Sequence, residues 1–524
     1  MLCKVFCACC NGIDAEIITV ETDITPGISF YLVGLPDSAV KESQQRISTA
    51  LTHYGYRIPG RRIVINMAPA NIRKEGSAYD VAIAVSIICA SGQISQNNIP
   101  NERLKEFIIM GELALDGSLR KFHGALPIAI KAAQLGYKGC IFPTEAAMEC
   151  AELNEIPIYA ANNLEDVIEI LSCEAKSSKY QIKARVQNIT EETVSCNCEY
   201  DFSQIKGQHS AKLALEIAAA GSHNILLSGS PGCGKTLLAK SLPSILPPLN
   251  RRESIETSKI YSVCGLLNPN GGLMRQRPFR SPHHTTTAGA LTGGGQSSLP
   301  GEISLAHNGV LFLDEFCEFP RAIIESLRQP IEDGIIQVSR VKNKYLYPAN
   351  FMLVATMNPC PCGFYGSPNQ ECRCSTSAIM KYTSRISGPI LDRIDLNVYV
   401  NPVESSSLVT SLNDPSTPAI AENSATVAAR VVRAREIQLE RFRNENFYTN
   451  SRIPSSRLEY YCNIGTKEIN FLKGIVAKLN LSARGYSRLL KISRTLADLD
   501  GKDFISLEHI SKALQYRGGQ SQYK

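Results

Sequence analysis

Eight consecutive residues constrain this chain more than any others: Gly229-Ser230-Pro231-Gly232-Cys233-Gly234-Lys235-Thr236. They fit G-x-x-x-x-G-K-[ST], a loop whose backbone amides cradle phosphate groups. The apolar run Asn224-Ile225-Leu226-Leu227-Ser228 before it is the pattern of a short buried strand. Leu237-Leu238-Ala239-Lys240 after it opens a helix. That strand–loop–helix context places the motif in an α/β fold. The glycines let the backbone approach the phosphates, and the helix N-terminus adds positive potential. Lys235 is placed to reach the β- and γ-phosphates, and Thr236 to ligate Mg²⁺.

A phosphate cradle binds nucleotide; hydrolysis needs more. Gly309-Val310-Leu311-Phe312-Leu313-Asp314-Glu315 is an apolar strand ending in two carboxylates. Asp314 is suited to hold Mg²⁺, directly or through its water, and Glu315 to polarise the attacking water. Phe351-Met352-Leu353-Val354-Ala355-Thr356-Met357-Asn358 is a further apolar strand, and its terminal amide, Asn358, can orient that water.

The chain has 524 residues, too many for one core, and predicts about three domains. Residues 1–172 mix strand signals (Phe30-Tyr31-Leu32-Val33-Gly34, Arg62-Ile63-Val64-Ile65-Asn66) with helix signals (Asp80 to Cys89, Gly124 to Leu135). A polar linker spans 173–204, the α/β nucleotide-binding core 205–400, and a Ser- and Pro-rich linker 401–424. Helical periodicity then fills a C-terminal domain over 425–524.

Composition is that of a soluble protein, 44% hydrophobic and 20% charged. There is no run of 18 apolar residues to span a membrane, and no signal-peptide pattern at the N-terminus. With 18 cysteines beside a nucleotide site, the expected setting is a reducing cytoplasm, with thiols used for packing or metal binding. Net charge is +6, unevenly spread: residues 426–524 carry 18 Lys and Arg against 9 Asp and Glu. That block predicts either an anionic partner such as nucleic acid or a solvated helical surface.

These segments together resemble the AAA+ ATPases. The resemblance implies that Ile205-Lys206-Gly207-Gln208 lies on the adenine side and that Asn358 is the sensor 1 residue. It makes Arg393, in Leu391-Asp392-Arg393-Ile394-Asp395, an arginine finger for a neighbouring subunit's γ-phosphate. Arg484, in Ser482-Ala483-Arg484-Gly485, becomes a sensor 2 residue on a helical lid, contacting the nucleotide.

Two longer motifs narrow the match. Arg277-Pro278-Phe279-Arg280-Ser281-Pro282-His283-His284-Thr285-Thr286 and Pro300-Gly301-Glu302-Ile303-Ser304-Leu305-Ala306-His307 resemble the magnesium-chelatase-like ATPases, and within them the ComM/YifB proteins. This implies a hexameric, ATP- and Mg²⁺-dependent motor that migrates branched DNA during recombination of incoming DNA. It also implies an N-terminal α+β domain resembling the Lon protease domain. The nucleophile position there falls on Ala78, with Ser77 one residue off, and the lysine position on Leu126, so no active protease is expected. Chelatase subunits are expected to lack this domain and the cysteines described next.

Cys360-Pro361-Cys362 and Cys372-Arg373-Cys374 form C-x-C-x₉-C-x-C, two knuckles suited to tetrahedral Zn²⁺ or an Fe–S centre, with one zinc per chain as the working expectation. Cys7, Cys9, Cys10, Cys196 and Cys198 are expected to be packing or incidental. Ser339 to Tyr347 has the pattern of a hairpin in which Arg340, Lys342 and Lys344 alternate beside aromatics, a candidate DNA grip in a central pore. A chelatase-type motor that remodels a protein partner without touching DNA stands as the competing reading.

Overall fold

The computed structural model describes residues 2–183, 200–268, 272–295, 298–339, 344–367, 370–402 and 422–517. They form two compact units, one of residues 1–190 with 250–275 and one of 191–249 with 276–524.

The first unit is built on a seven-stranded mixed sheet. Its order is Ser29–Val33, Arg62–Ala68, Asp14–Thr25, Cys3–Asn11, Phe107–Ile109, Gly139–Pro143 and Ile158–Ala161. Cys3–Asn11 and Asp14–Thr25 make an antiparallel hairpin, and the last four strands of the order run parallel. Cys3, Cys7 and Cys9 are buried in the first strand, so they serve as small apolar residues. Every residue of the helix Asp80–Ala90 is buried, as its continuous apolar sequence demands. Asp80 at its start is paired with Arg46, at 2.7 and 3.0 Å. Leu126 is fully buried, Ser77 donates to Glu112, and the buried Lys74 donates to the Pro69 carbonyl.

Residues 250–275, although they follow the phosphate loop in sequence, pack with this first unit. Gly124 N–H donates to the Ser262 carbonyl at 2.9 Å, and the Ser262 hydroxyl donates to the buried Glu149 at 2.7 Å. Lys259–Asp14 and Arg275–Glu152 ion pairs, at 2.6 and 3.0 Å, add to the anchorage.

The second unit holds a five-stranded sheet in the order Phe279–Arg280, Val310–Leu313, Met352–Met357, Ile225–Gly229 and Leu396–Val400. All its pairings are parallel. Ile225–Gly229, Val310–Leu313 and Met352–Met357 are buried throughout, the signature of parallel strands covered on both faces. Parallel running also brings Gly229, Leu313 and Met357 to the same edge, where open α/β sheets bind ligands.

Asn224 fixes the opposite edge. Its N–H donates to Asp395 and its side chain bonds the Arg393 carbonyl and the Leu353 N–H, at 3.0, 3.0 and 2.8 Å. Burial pushes the Asp395 carboxyl up, but the His223 hydrogen bond, the Arg488 guanidinium and the Asn224 amide outweigh it and hold it at about 2.

The helices Ser424–Arg441, Thr466–Leu479, Ala483–Leu499 and Leu507–Gln515 complete this unit. They spend much of the C-terminal positive charge internally. Arg430 pairs with Glu216 at 2.6 Å and Glu422 at 2.7 Å. Arg435 and Gln438 bond the Ala219 and Ala220 carbonyls, capping the negative end of the helix His209–Gly221. Arg441 and Arg494 share the buried Asp498. The block is therefore neither wholly a solvated surface nor wholly free for an anionic partner. Among the described residues no helix is long and apolar enough to cross a membrane.

We expect Asp395→Asn to cost about 3–5 kcal/mol, because it strips a buried carboxylate from His223 and Arg488. A depressed folded-state pKa gives stability that is full above the unfolded value of about 3.9 and is lost toward about 2. Urea midpoints should therefore fall more steeply between pH 4 and about 2 in the native protein than in the variant; equal slopes would remove the role assigned to Asp395.

Candidate nucleotide-hydrolysis site

The phosphate loop joins the buried strand Ile225–Gly229 to the helix Lys235–Ser241. Gly232 and Gly234 have φ of +76° and +92°, a backbone region that disfavours side chains, and a Cβ at either would meet nothing within 4 Å. The space outside them is open to receive phosphate oxygens. At Gly229 the constraint is contact instead: a Cβ would fall 2.4 Å from the Val400 carbonyl.

Lys235 Nζ donates to the Gly229 and Ser230 carbonyls at 2.7 and 2.9 Å and to Asn358 Oδ1 at 3.1 Å. Burial holds its amine below the ordinary lysine range. Gln208, just before the helix His209–Gly221, donates to the Cys233 carbonyl at 3.4 Å, which puts the expected adenine-side segment against this loop.

The three strand ends meet as their pairing requires. Thr236 Oγ1 donates to Asp314 Oδ2 at 3.1 Å, so one hydroxyl and one carboxylate stand ready for a shared Mg²⁺. Thr356, the one polar residue in Met352–Met357, donates to Asp314 Oδ1 and accepts from the Glu315 N–H at 3.1 Å. Sequence reasoning assigned Thr356 no role; a lone hydroxyl in an otherwise apolar buried strand was the available signal. Glu315 takes a left-handed backbone, φ +52°, and its side chain is exposed where an attacking water would approach. His284 Nδ1 stands 4.0 Å from Glu315 Oε2. Arg280 grips Glu302 through two bonds of 2.7 and 2.8 Å, joining the two long motifs beside this edge.

Arg393 and Arg484 lie elsewhere. Arg393 is buried at the start of Leu396–Val400, the edge held by Asn224, and bonds the Pro389 carbonyl and Glu332. A strand's length, five steps or roughly 16 Å, separates that edge from the phosphate loop. Arg484 bonds the other oxygen of Glu332 at 3.0 Å. Arg393 holds the Glu332 carboxyl below its usual range. Tertiary packing thus gathers Arg484 with Arg393 on one carboxylate. Glu332, which joins the two, carried no sequence signal.

The four knuckle cysteines converge, with their sulfurs all within 4.8 Å of one another. Cys360–Cys362, Cys362–Cys372 and Cys360–Cys372 are 3.3, 3.6 and 3.7 Å apart. A tetrahedral ion with Zn–S bonds of about 2.3 Å needs sulfurs roughly 3.8 Å apart, so the donor set fits. Backbone N–H groups, Phe364 first and then Arg373, hold the Cys362 thiol down at about 6.

The expected hairpin is formed by Ile335–Ser339 and Lys344–Pro348. Lys344 is exposed, whereas Arg340 and Lys342 lie outside the described residues. The aromatics do not offer themselves for base stacking as expected: Tyr347 is buried and donates to the Ser298 carbonyl, and Tyr345 stacks on it at 6.3 Å. Alternation along the strand puts both rings on one face, Tyr347 buried and Tyr345 half-buried, and leaves Lys344 and Leu346 on the other.

Lys235→Ala is expected to abolish nucleotide binding or hydrolysis. Glu315→Gln should bind ATP and trap it, with turnover reduced at least about 100-fold, the scale of a positioned general base. Fluorescent-nucleotide binding and phosphate release measure both; near-native turnover by Glu315→Gln would exclude it as the base.

Family models described as "Magnesium chelatase, subunit ChlI" and "Magnesium chelatase, subunit ChlI C-terminal" match residues 201–408 and 421–517. A third, "Subunit ChlI of Mg-chelatase", matches residues 20–146, so the N-terminal region does not by itself set this chain apart from chelatase-named sequences, contrary to expectation. Full-length similarity does. Competence protein ComM of Haemophilus influenzae is 42% identical over 97% of this chain and 95% of its own length. The uncharacterized protein YifB of Escherichia coli is 40% identical over 97% and 95%. The magnesium-chelatase 67 kDa subunit of Heliobacterium mobile is 28% identical over only 32% of this chain and 29% of its own. With near-complete coverage by such relatives and a hydrolysis site to match, this chain belongs to the ComM/YifB family of magnesium-chelatase-like AAA+ ATPases.

Proposed function

We propose that the chain is an ATP-driven DNA motor that works as a ring, with each nucleotide hydrolysed between two subunits. One observation supports the ring: Arg393 and Arg484 share Glu332 near the sheet edge opposite their own phosphate loop, a placement that suits service to a neighbour's γ-phosphate. A trans arginine of this kind is worth about 10³–10⁵ in rate. Lys235 and the loop amides bind the phosphates, Thr236 and Asp314 hold the cation, and Asn358 and Glu315 orient and deprotonate water. Bound Mg²⁺ would neutralise the charge that develops on the β- and γ-oxygens. We place one zinc ion at Cys360, Cys362, Cys372 and Cys374.

The name of the Haemophilus relative, a competence protein, supports DNA as the track, and a hexamer promoting branch migration in recombination of incoming DNA is the reading carried forward. Lys344, with Arg340 and Lys342, is assigned to DNA contact. The N-terminal unit, which we read as Lon-like, serves binding or assembly rather than proteolysis, because Leu126 fills the position where a base is needed. The cytoplasm is the proposed setting. Similarity to a chelatase subunit favours the alternative, an ATPase that remodels a protein and ignores DNA.

Mixing Arg393→Ala with Lys235→Ala protein should recover activity, because some interfaces then pair an intact loop with an intact finger. Mixed rings, verified by subunit exchange, that recover nothing would end the shared-site reading.

Forked or Holliday-junction DNA should stimulate ATP turnover. Neutralising Arg340, Lys342 and Lys344 together should remove that stimulation and leave basal turnover intact. Each lost phosphate contact should flatten the salt dependence of binding by about one unit of slope. DNA that neither binds at low salt nor changes turnover would favour the protein-remodelling alternative.

A further inference from the structure

The cysteine loop touches the phosphate loop at two places. Gly363, next to Cys362, has φ of +85°, and a Cβ there would fall 2.5 and 2.6 Å from Cδ and Cγ of Pro231. Pro231 is the third residue of the phosphate-binding motif. The cysteine loop also begins at Asn358, two residues before Cys360, and Asn358 Oδ1 takes the hydrogen bond from Lys235 at 3.1 Å. One loop thus abuts the middle of the cradle and its lysine.

Farther along, Gly366 comes near the sheet: a Cβ built there would lie 3.7 Å from the hydroxyl of Tyr399, on the strand whose Val400 carbonyl approaches Gly229. Among its described residues, 358–367 and 370–375, the loop forms no helix or strand. The buried Cys360 accepts from the Tyr365 N–H at 3.3 Å, folding the first knuckle back on itself. Holding such a segment in one shape costs roughly 1–2 kcal/mol of backbone entropy per residue, which a few van der Waals contacts do not offset. Four converging thiolates around one ion do.

We propose that the metal held by Cys360, Cys362, Cys372 and Cys374 is a brace for the phosphate loop, so that metal occupancy sets nucleotide affinity. The brace rests on the metal assignment above and adds a coupling to it. The ion binds only the folded knuckle; the folded knuckle keeps Gly363 against Pro231 and Asn358 against Lys235; nucleotide binds best to the loop so held. Linkage makes the effect reciprocal: bound nucleotide must slow the ion's departure by stabilising the same conformer. An ion that merely shaped a surface loop would show no such reciprocity.

The test uses the full-length protein, Zn²⁺ as the metal probe and ATPγS as the nucleotide probe. The native protein should contain one zinc per chain. Stripping it with a chelator, or with Cys372→Ser/Cys374→Ser, should weaken ATPγS binding about tenfold or more by calorimetry, and refilling the stripped native chain with Zn²⁺ should restore it. Because a stripped loop can unfold outright, Gly363→Ala supplies the discriminating variant: it keeps all four thiols and the ion but drives a methyl group into Pro231. It should retain one zinc and still bind ATPγS about tenfold more weakly. Saturating ATPγS should slow zinc transfer to a chromogenic chelator in the native protein and not in Lys235→Ala. If zinc is present but stripped protein and Gly363→Ala bind ATPγS like the native chain, the brace is overturned and the metal site stands. If the native protein contains no metal and takes up no added zinc, the metal assignment is overturned and the brace falls with it.

Discussion

The parallel pairing of Ile225–Gly229 between Met352–Met357 and Leu396–Val400 is the constraint on which the rest of this ATPase depends. Parallel strands point their carboxyl ends the same way, so every residue that follows one of them arrives at one edge. Asp314, Thr356 and Asn358 meet Lys235 and Thr236 there because of strand direction and register. The same pairing sends Asp392, Arg393 and Asp395, which precede a strand, to the other edge. One sheet therefore sends the phosphate loop and its carboxylates to one edge and the Arg393 segment to the other.

Charge placement follows a similar economy. The C-terminal region is the most basic part of the chain, yet Arg430, Arg435, Arg441 and Arg494 are committed to carboxylates or helix-end carbonyls inside the second unit. Buried guanidinium groups need such partners, since desolvation of a lone charge costs several kcal/mol. Their geometry specifies how the C-terminal helices seat on His209–Gly221, so much of the formal excess charge is a structural device. What remains exposed is smaller and more local than the charge count suggests.

The residues of the candidate hydrolysis site were legible in the sequence wherever they are contiguous or follow an apolar run. Gly229 to Thr236 dictates its own loop, and Asp314, Glu315 and Asn358 are marked by the strands that end on them. The four cysteines declared a metal-sized cluster by spacing alone, because two C-x-C knuckles have few other ways to converge. Elements with a marked apolar pattern, the continuous run of Asp80–Ala90 and the one-sided stripe of Ala125–Gln134, lie where their patterns put them. The first strand, Cys3–Asn11, carried no such reading, since its cysteines hide its alternation from a residue-type pattern.

Tertiary structure alone decided what depends on long-range meeting. Residues 250–275 leave the second unit for the first, held by Ser262, Lys259 and Arg275, whose partners lie more than a hundred positions away and left no periodic trace. Glu332 is an ordinary helical glutamate until folding sets two arginines on its two oxygens. Tyr345 and Tyr347 looked available beside the basic residues; strand alternation buried Tyr347 and stacked the half-buried Tyr345 on it. Thr356 and Gly363 gained meaning only from what packs against them, a carboxylate and a proline. The sequence by itself determined the phosphate loop, the strand-end carboxylates and the cysteine knuckles, because each sits in a short local pattern. Only the fold decided which groups share an edge, because that is set by strand pairing and side-chain packing between residues far apart in the chain.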